Sequence, residues 1–446
     1  MNRRDFIKYA GLTSVMGTLP TAFQIRAGKA DFNGKFLITL QAQGGWDVSS
    51  LCDPKMNVPG EAQINHWAIN DETQTAGNIQ YAPFGTNQKF FDKYYNDMLI
   101  INGIDAQTNS HTAGVVHNWS GRISNGFPTL TALYAASNAP DLPISYINNG
   151  GYAETAGITR YSRLDEPSTI KNIVKPNQNV WNPEQSRNPA RDWDLINQTR
   201  AKIMAEKLNK NTLTFRERLA ISNYNSALES ASILRDFSAG LTNAGELEEG
   251  VQKTNFYSSL KTQAQLALIA MNSGVAVSAD LLAGGAFDSH QFHDRDQAES
   301  LAVTTDGIDY IWQYAEQLGI ADRLVVVVMS DFSRTPYYNV TEGKDHWPVG
   351  SAIIMERDAP WGNRTVGLTD QEQNVIPINP ATLQPQESGG SIIYPKHVMQ
   401  SLREYMGIAD NPLVSPFAFN NGESFDFFSA TKSTPQAKDV RNSIRV

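Results

Sequence analysis

The sequence has one cysteine, Cys52, among its 446 residues, so the chain cannot form an internal disulfide bond. Its stability must therefore come from a hydrophobic core or from a bound metal. A catalytic thiol and a packed thiol are the two interpretations of Cys52. We favour the packed thiol, because no residue near it in sequence would lower its pKa.

Long apolar runs, nucleotide-binding loops and a positive net charge are also missing. Beyond the N-terminal region no apolar run approaches the roughly 20 residues that span a bilayer, so we expect no stable membrane insertion. No phosphate-binding loop or dinucleotide fingerprint is present, which disfavours ATP and NAD chemistry. The formal net charge of -9 disfavours nucleic-acid binding. With 41% hydrophobic residues, the composition is that of a globular protein.

The first 30 residues have the pattern of an export signal. Arg3 and Arg4 precede an apolar stretch over 9–23 and small residues near Ala27 and Ala30. Paired arginines in this position are typical of the twin-arginine signal, which predicts a periplasmic or secreted protein carried by the twin-arginine translocase. The alternative is a basic helix at the start of a cytosolic enzyme. Removal of residues 1–30 takes away five Lys/Arg and one Asp, and moves the formal net charge from -9 to -13.

Four short apolar segments are predicted strands, and polar residues follow each of them. They cover 36–40, 98–101, 275–287 and 324–329. Asp47 follows the first strand after two glycines, Asp288 ends the third, and Asp331 ends the fourth. Because ligands bind beyond the carboxyl ends of parallel strands, we expect these three carboxylates to meet in one cleft.

The remaining segments predict the outline of a single α/β domain over residues 31–425. Residues 190–272 and 296–318 have the composition and spacing of amphipathic helices, and we expect the first group to cover the sheet as an insertion. Residues 54–90 and 148–191 are predicted to be long loops. A polar tail is predicted from residue 426 to 446.

Histidines are few, and they are concentrated. Five of the seven lie in three short windows, at His111 and His117, at His290 and His293, and at His346. The window 288–294 offers two imidazoles and two carboxylates, a mixture suited to zinc or another divalent metal. The alternative is a polar surface cluster that caps a helix.

Two further segments carry candidate site residues. A carboxylate at the end of a buried strand is costly unless it is paired or binds a cation, so Asp331 is either a metal ligand or a salt-bridge partner of Arg334. Ser110, His111 and Thr112 open a predicted helix after the second strand. Their hydroxyls lie where anions bind and where an activated nucleophile can attack, and plain N-capping is an equal alternative.

The order of these motifs resembles a known plan. Gly-Gly-x-Asp at 44–47 is followed by Asp-x-His at 288–290, Ser-Asp-Phe-x-Arg-Thr at 330–335 and Asp-His at 345–346. This order resembles the bacterial family called domain of unknown function 1501, within the alkaline phosphatase and sulfatase superfamily. The resemblance implies an alkaline-phosphatase-like, doubly wound and mainly parallel sheet flanked by helices, with long loop insertions. It also implies one or two bound metals.

The resemblance implies roles for individual residues. Its metal ligands match positions in the motifs above, with one spare histidine: Asp47, Asp288, His290, Asp331, His346 and, as the spare, His293. The nucleophile falls in the segment Ser110-His111-Thr112, and Arg334 or Lys344 would hold the anion. Phe332 stands where phosphatases place a histidine, which leaves the number of metals open. The sulfatase motif Cys-x-Pro-Ser-Arg is absent, which argues against a formylglycine enzyme.

The sequence therefore predicts an exported, metal-dependent hydrolase of a small phosphate or sulfate ester. Zinc is the expected metal, with calcium, magnesium and manganese as alternatives. A second hypothesis is a non-catalytic secreted binding or assembly protein that keeps a metal only for structure. A third is a carbohydrate-binding protein, which rests on Trp46, Trp119 and Trp347 near the predicted site.

Overall fold

The computed structural model describes residues 32–434 with gaps at 151, 165–174, 180, 183, 286 and 420–422 and through most of 210–258. Contacts divide the chain into Met1–Ala30 and a body, Asp31–Val446. The predicted export signal lies outside the described residues. No helix of the described ranges is long and apolar enough to cross a membrane.

The body is built on one large sheet. The strands of the described residues are β1 (Phe36–Ala42), β2 (Gln74–Ala76), β3 (Ile79–Tyr81), β4 (Met98–Asp105), β5 (Tyr146–Asn148), β6 (Tyr161–Ser162), β7 (Ser278–Ala283), β8 (Leu324–Ser330), β9 (Ser333–Arg334), β10 (His346–Trp347), β11 (Val349–Glu356) and β12 (Arg364–Val366). Eight of them form a sheet in the order β12-β4-β11-β8-β1-β7-β5-β6. Only β11 is antiparallel to its neighbours in this sheet, so the carboxyl ends of the other seven strands share one edge.

Alternate residues of the central strands enter two separate cores, one on each face of the sheet. In β1, Phe36, Ile38 and Leu40 point into the first core and Leu37 into the second. Every residue of β1, β7 and β8 is buried. Burial on both faces explains why β8 is apolar from Leu324 to Met329 and does not alternate between apolar and polar residues.

Helices cover both faces. The α-helices whose bounds the described residues give are α1 (Asn87–Tyr94), α2 (His111–Ser120), α3 (Leu130–Asn138), α4 (Ala190–Leu208), α5 (Leu260–Asn272), α6 (His293–Gln317) and α7 (Pro395–Tyr405). Side chains of α1, α5 and α6 fill the first core, and those of α3 and α7 fill the second. The predicted α/β class, with a mainly parallel sheet between two helical layers, is confirmed.

The structure refines the predicted elements. The helix expected over 296–318 is α6, which begins three residues earlier at His293. Within residues 190–272, α5 packs on the sheet, whereas the described side chains of α4 are exposed or half-buried. In the segment expected to be a polar tail, Phe427 is buried and Thr434 donates a hydrogen bond to the Leu383 carbonyl. Residues 435–446 lie outside the described part.

Candidate metal centre

The candidate site lies at the shared edge where β1, β4, β7 and β8 end. Gly44 and Gly45 follow β1 with φ of +112° and +82°, a region that favours glycine. A Cβ atom on Gly44 would lie 2.6 Å from the backbone nitrogen of Asp288. These glycines therefore let the loop after β1 lie directly against the loop after β7.

Four side chains from three of these loops form what we call the exposed histidine cluster: His111, Asp288, His290 and His346. The Oδ1 atom of Asp288 lies 3.4 Å from Nε2 of His111, 3.1 Å from Nε2 of His290 and 3.4 Å from Nε2 of His346. The Nε2 atoms of His290 and His346 are 3.0 Å apart. Ligand atoms of His111, Asp288 and His346 all lie within 4.8 Å of one another, close enough for a single ion.

Each histidine of this cluster is held through its other ring nitrogen. Nδ1 of His111 lies 2.6 Å from Oδ2 of Asp331, Nδ1 of His290 lies 2.9 Å from Oδ1 of Asp345, and Nδ1 of His346 lies 2.8 Å from the Asn109 carbonyl oxygen. An oxygen acceptor at Nδ1 places the hydrogen there and leaves the Nε2 lone pair free. Three lone pairs therefore point toward one carboxylate, the arrangement of metal-binding histidines with oriented rings.

Asp331 orients His111 from behind. Its buried carboxylate also accepts hydrogen bonds from the Gln41 side chain and the Gly44 backbone, and Gln41 in turn accepts one from the Trp119 indole at 2.6 Å. The hydrogen bond with Asp331 raises the pKa of His111, although burial acts in the opposite direction. Asp331 is thus fully engaged by protein donors and lies behind His111 rather than among the free ligand atoms.

The guanidinium of Arg334 is buried beneath the cluster. It donates to the Gly44, Gly45 and Lys344 carbonyls, and its Nη2 lies 2.6 Å from Oδ1 of Asp288. Burial by itself would raise the pKa of Asp288, but the hydrogen bond and charge of Arg334, together with the nearby His111 and His290, lower the pKa overall. Arg334 therefore positions an ionised Asp288, and its donors face protein rather than the open cleft where an anion would bind.

Two other predicted ligands lie apart, in what we call the buried lysine cluster: Asp47, His293 and Lys344. Their side chains are fully buried. Oδ2 of Asp47 accepts from Lys344 Nζ at 2.6 Å and from His293 Nε2 at 2.8 Å. Burial would raise the pKa of Asp47, but Lys344 and His293 hold it well below its usual range. Burial lowers the pKa of His293, so its ring is neutral.

The predicted hydroxyls lie beside the exposed histidine cluster in sequence. Ser110 is the N-cap residue of α2, but its side chain makes no capping hydrogen bond, so the capping alternative is not realised for this residue. It stands between Asn109, which holds His346, and the candidate ligand His111. Ser110 and Thr112 are both exposed, so either hydroxyl is accessible to a ligand.

Two of the three tryptophans behind the carbohydrate hypothesis cannot form a sugar-binding surface. Trp46 and Trp119 are buried in the core, at 2% and 4% exposure. Trp347 is half-buried, and its indole donates to the Gln373 carbonyl. Stacking of a sugar on a tryptophan needs an exposed ring face, and two of the three residues lack one.

Comparison with known proteins gives the family. The profile of the family described as protein of unknown function (DUF1501) matches residues 34–375. The chain belongs to the DUF1501 family. The matched range contains the whole of both clusters, so every side chain that forms the candidate site of this DUF1501 protein lies in the family domain. No curated protein matches the chain at a significant level.

Several solved structures are similar to this DUF1501 protein at low identity. The lipoteichoic acid synthase LtaP from Listeria monocytogenes has 10% identity and a TM-score of 0.34, with 90% of this chain and 76% of that chain covered. Alkaline phosphatase from the Antarctic bacterium TAB5 has 9% identity and a TM-score of 0.30, with 72% and 92% covered. The phosphonate monoester hydrolase of Agrobacterium radiobacter has 10% identity and a TM-score of 0.30, with 84% and 74% covered.

The structure thus distributes the predicted ligands of this DUF1501 protein over two sets. Asp288, His290 and His346 come together, and His111, expected beside the nucleophile, joins them as a ligand candidate. Asp47 and His293 lie with Lys344 instead, and Asp331 supports His111. Sequence reasoning missed Gln41, although a polar residue inside an apolar strand is a visible signal for a buried hydrogen-bonding role.

Proposed function

We propose that this DUF1501 protein is a metal-dependent hydrolase of a phosphate or sulfate ester, with its ion at the exposed histidine cluster. The observation that carries the proposal is the orientation of the three imidazoles. Each ring is fixed at Nδ1 and aims Nε2 at Asp288. The Nε2 atom of His111 is buried and has no hydrogen-bond partner, an orphaned atom that a cation would satisfy.

The distances in the cluster fit zinc. Ligand atoms at about 2.0–2.1 Å from a tetrahedral zinc ion are about 3.3 Å from one another. The separations between Asp288 Oδ1 and the three Nε2 atoms are 3.1–3.4 Å, and that between His290 and His346 is 3.0 Å. Imidazole ligands also suit zinc better than calcium or magnesium.

Chemically, a bound cation would polarise the ester and lower the pKa of a nearby water or hydroxyl. The residues of this chain hold the reactants in place. Asp331 and Asn109 keep His111 and His346 in the tautomer that binds a cation, and Arg334 keeps Asp288 ionised. Ser110 and Thr112 supply the exposed hydroxyls at the N-terminus of α2, where the helix dipole favours an anionic group.

The role of His290 distinguishes the hydrolase from a protein with a structural metal. Four protein ligands close a zinc site, whereas three leave a position for substrate. His290 is the most exposed of the three histidines, with a side-chain exposure of 46%. We infer that His111, Asp288 and His346 hold the ion and that His290 lies beside the open position. The four similar distances within the cluster would also fit a closed structural site in which all four side chains bind the ion.

Turnover assays with and without metal test the proposal. The purified protein would be assayed with p-nitrophenyl phosphate and p-nitrophenyl sulfate after chelation and after addition of zinc, manganese, calcium or magnesium. We expect activity that chelation abolishes and one of these ions restores. His346→Ala should reduce kcat/KM by at least about 100-fold. The matched control is His66→Ala, since His66 pairs with Asp294 at 2.7 Å outside the cluster.

Two results would reject the hydrolase. The first is a lack of turnover on both esters with every ion, although one equivalent of metal is bound. The second is equal activity of His346→Ala and the parent protein. Stoichiometric binding without turnover, combined with strong metal loss in His290→Ala, would instead support the closed structural site.

We also propose that the protein is exported by the twin-arginine translocase as a folded chain. The proposal rests on Arg3 and Arg4 ahead of the apolar stretch at 9–23. Cell fractionation of the full chain tests it, with the doubly substituted variant Arg3→Lys/Arg4→Lys as the comparison. Equal amounts of both proteins outside the cytoplasm would reject this route.

A further inference from the structure

In the buried lysine cluster, oxygen atoms of the kind that bind a metal ion surround the ammonium group of Lys344. The Lys344 ammonium lies 2.6 Å from Asp47 Oδ2, 3.2 Å from Asn65 Oδ1 and 3.3 Å from Ser49 Oγ. Asp47, Ser49 and Asn65 are all buried. Carboxylate, amide and hydroxyl oxygens are the groups that bind a hard divalent cation. Here they surround an ammonium group instead.

A closed hydrogen-bond network fixes the geometry around Asp47. His293 Nε2 donates to Asp47 Oδ2, and the Ser289 hydroxyl donates to Nδ1 of the neutral His293 ring at 2.8 Å. Gln297 donates to Ser289 at 3.0 Å and accepts from the Asp47 backbone nitrogen at 3.0 Å. With every donor and acceptor of this network occupied by protein, the lysine is the cation that balances Asp47.

One short loop supplies both clusters. Lys344 belongs to the buried lysine cluster, and His346, two residues later, belongs to the exposed histidine cluster. The loop is anchored beside His290, because a Cβ atom on Gly343 would lie 1.8 Å from the His290 carbonyl oxygen. The Lys344 backbone nitrogen also donates to the Ser289 carbonyl at 3.1 Å. The ammonium is therefore held in place by the same contacts that position the metal-binding histidines.

Phe332 packs against the exposed histidine cluster. Its buried ring lies 4.7 Å from the His111 ring and 4.6 Å from the His346 ring, measured between centroids. A Cβ atom on Gly45 would lie 2.9 Å from this ring, so the loop after β1 also packs closely against Phe332. The apolar ring of Phe332 lies next to both imidazoles and has no atom that could bind a second ion.

We propose that Lys344 permanently occupies the position of a second cation, so that this protein binds one divalent ion, at the exposed histidine cluster. The inference rests on the metal centre proposed above, but not on the ester reaction. A divalent ion and an ammonium cannot share Asp47, because both side chains of the Lys344–Asp47 pair are 0% exposed and the like charges would repel at contact distance with little screening. Asp288 also contacts a cationic group, Arg334, but its side chain is 50% exposed, so water screens the charge of an ion bound there. Asp47 thereby serves as the counter-ion of Lys344 and not as a metal ligand.

Metal stoichiometry tests the inference directly. The full chain would be loaded with zinc, freed of excess ion and measured by mass spectrometry, and its affinity determined against a chromophoric chelator. We expect one equivalent for the parent protein and none for His346→Ala. Asp47→Asn should still bind one equivalent, with an affinity within about threefold of the parent. Two equivalents in the parent, or loss of the ion in Asp47→Asn, would overturn the inference.

Removal of the ammonium provides a second test. Lys344→Gln should open the Asp47 position, so we expect a second equivalent of zinc or manganese to bind and to raise the midpoint of thermal unfolding. The double variant Asp47→Asn/Lys344→Gln is the control and should bind one. A folded Lys344→Gln that still binds one equivalent would contradict the claim that lysine replaces an ion. If this variant does not fold, the parent and Asp47→Asn measurements decide alone.

The outcomes separate this inference from the proposed function. Two equivalents in an active parent protein would reject the role of Lys344 and leave the hydrolase intact. One equivalent without any ester turnover would reject the hydrolase and leave the role of Lys344 intact. A parent protein that binds no metal would reject both.

Discussion

Replacement of Asp331 by Asn should weaken metal binding although Asp331 is not itself a free ligand. Oδ1 accepts from the Gln41 side chain, Oδ2 accepts from His111 Nδ1 at 2.6 Å, and the Gly44 nitrogen lies between the two oxygens at 3.3 and 3.2 Å. An asparagine can keep its oxygen toward Gln41 only if its NH2 group faces His111. Two donors then oppose each other, so His111 must carry its hydrogen on Nε2. The lone pair that faces Asp288 is lost.

The expected loss of metal affinity is that of removing one group that orients one ligand. Such substitutions weaken metal affinity by about 10–100-fold, or about 1.4–2.7 kcal/mol. A competition titration with a chromophoric zinc chelator at pH 7.5 measures the change. The matched control is Asp294→Asn, since Asp294 makes the same kind of contact with His66 Nδ1, at 2.7 Å, outside the metal centre. Equal zinc affinity of Asp331→Asn and the parent protein would show that Asp331 does not orient His111 for metal binding.

Three further predictions concern stability. Burial lowers the pKa of His397 to about 4. Because an unfolded histidine titrates near 6.5, the unfolded chain binds the proton at a higher pH than the folded chain does. The free energy of unfolding should therefore fall by up to about 3 kcal/mol as the pH drops from about 6.5 to about 4. His397→Gln should flatten this dependence in urea unfolding at pH 4.5 and 7, and an unchanged slope would rule the explanation out. Gly114→Ala should cost about 1–3 kcal/mol and weaken zinc binding, because its Cβ would lie 2.3 Å from the Asp331 carbonyl oxygen; calorimetry showing no loss would contradict this. Tyr146→Phe should cost about 1–3 kcal/mol in the same experiment, since it removes a buried hydrogen bond to Asp280, and a neutral effect would show that this bond contributes nothing.

The sheet was predictable because its central strands are buried on both faces. Such strands are mostly apolar, and Thr39 is the single polar residue in the runs at 36–40 and 324–329. Each run also ends at residues that cannot continue a buried strand. The predicted strand ends therefore lie close to the observed ends of β1 and β8, at Ala42 and Ser330.

The helical layer was harder to predict. The composition of 190–272 indicates helices, but composition does not say which helix packs on the sheet. α5 has buried residues through most of its length, whereas the apolar side chains Leu195 and Ile203 of α4 are 62% and 45% exposed. Only tertiary contacts distinguish the two.

The candidate site was predictable in its residue types and only partly in its grouping. The resemblance groups His290 and His346 with Asp288, and these side chains lie together in the structure. The rule that ligands bind beyond parallel strand ends places Asp47, Asp288 and Asp331 at one edge of the sheet. It does not predict the partner of Asp47, because that partner depends on where the long side chain of Lys344 reaches. The loop that carries Lys344 has no periodic pattern from which its path could be derived.

The central claim is that one cation binds at the exposed histidine cluster. Anomalous diffraction from crystals of the zinc-loaded protein tests it most directly, because it locates the ion and its ligands without reference to activity. We expect a single anomalous peak about 2 Å from Nε2 of His111, Nε2 of His346 and Oδ1 of Asp288. An ion beside Asp47, or crystals of zinc-saturated protein without a peak at these three residues, would contradict it.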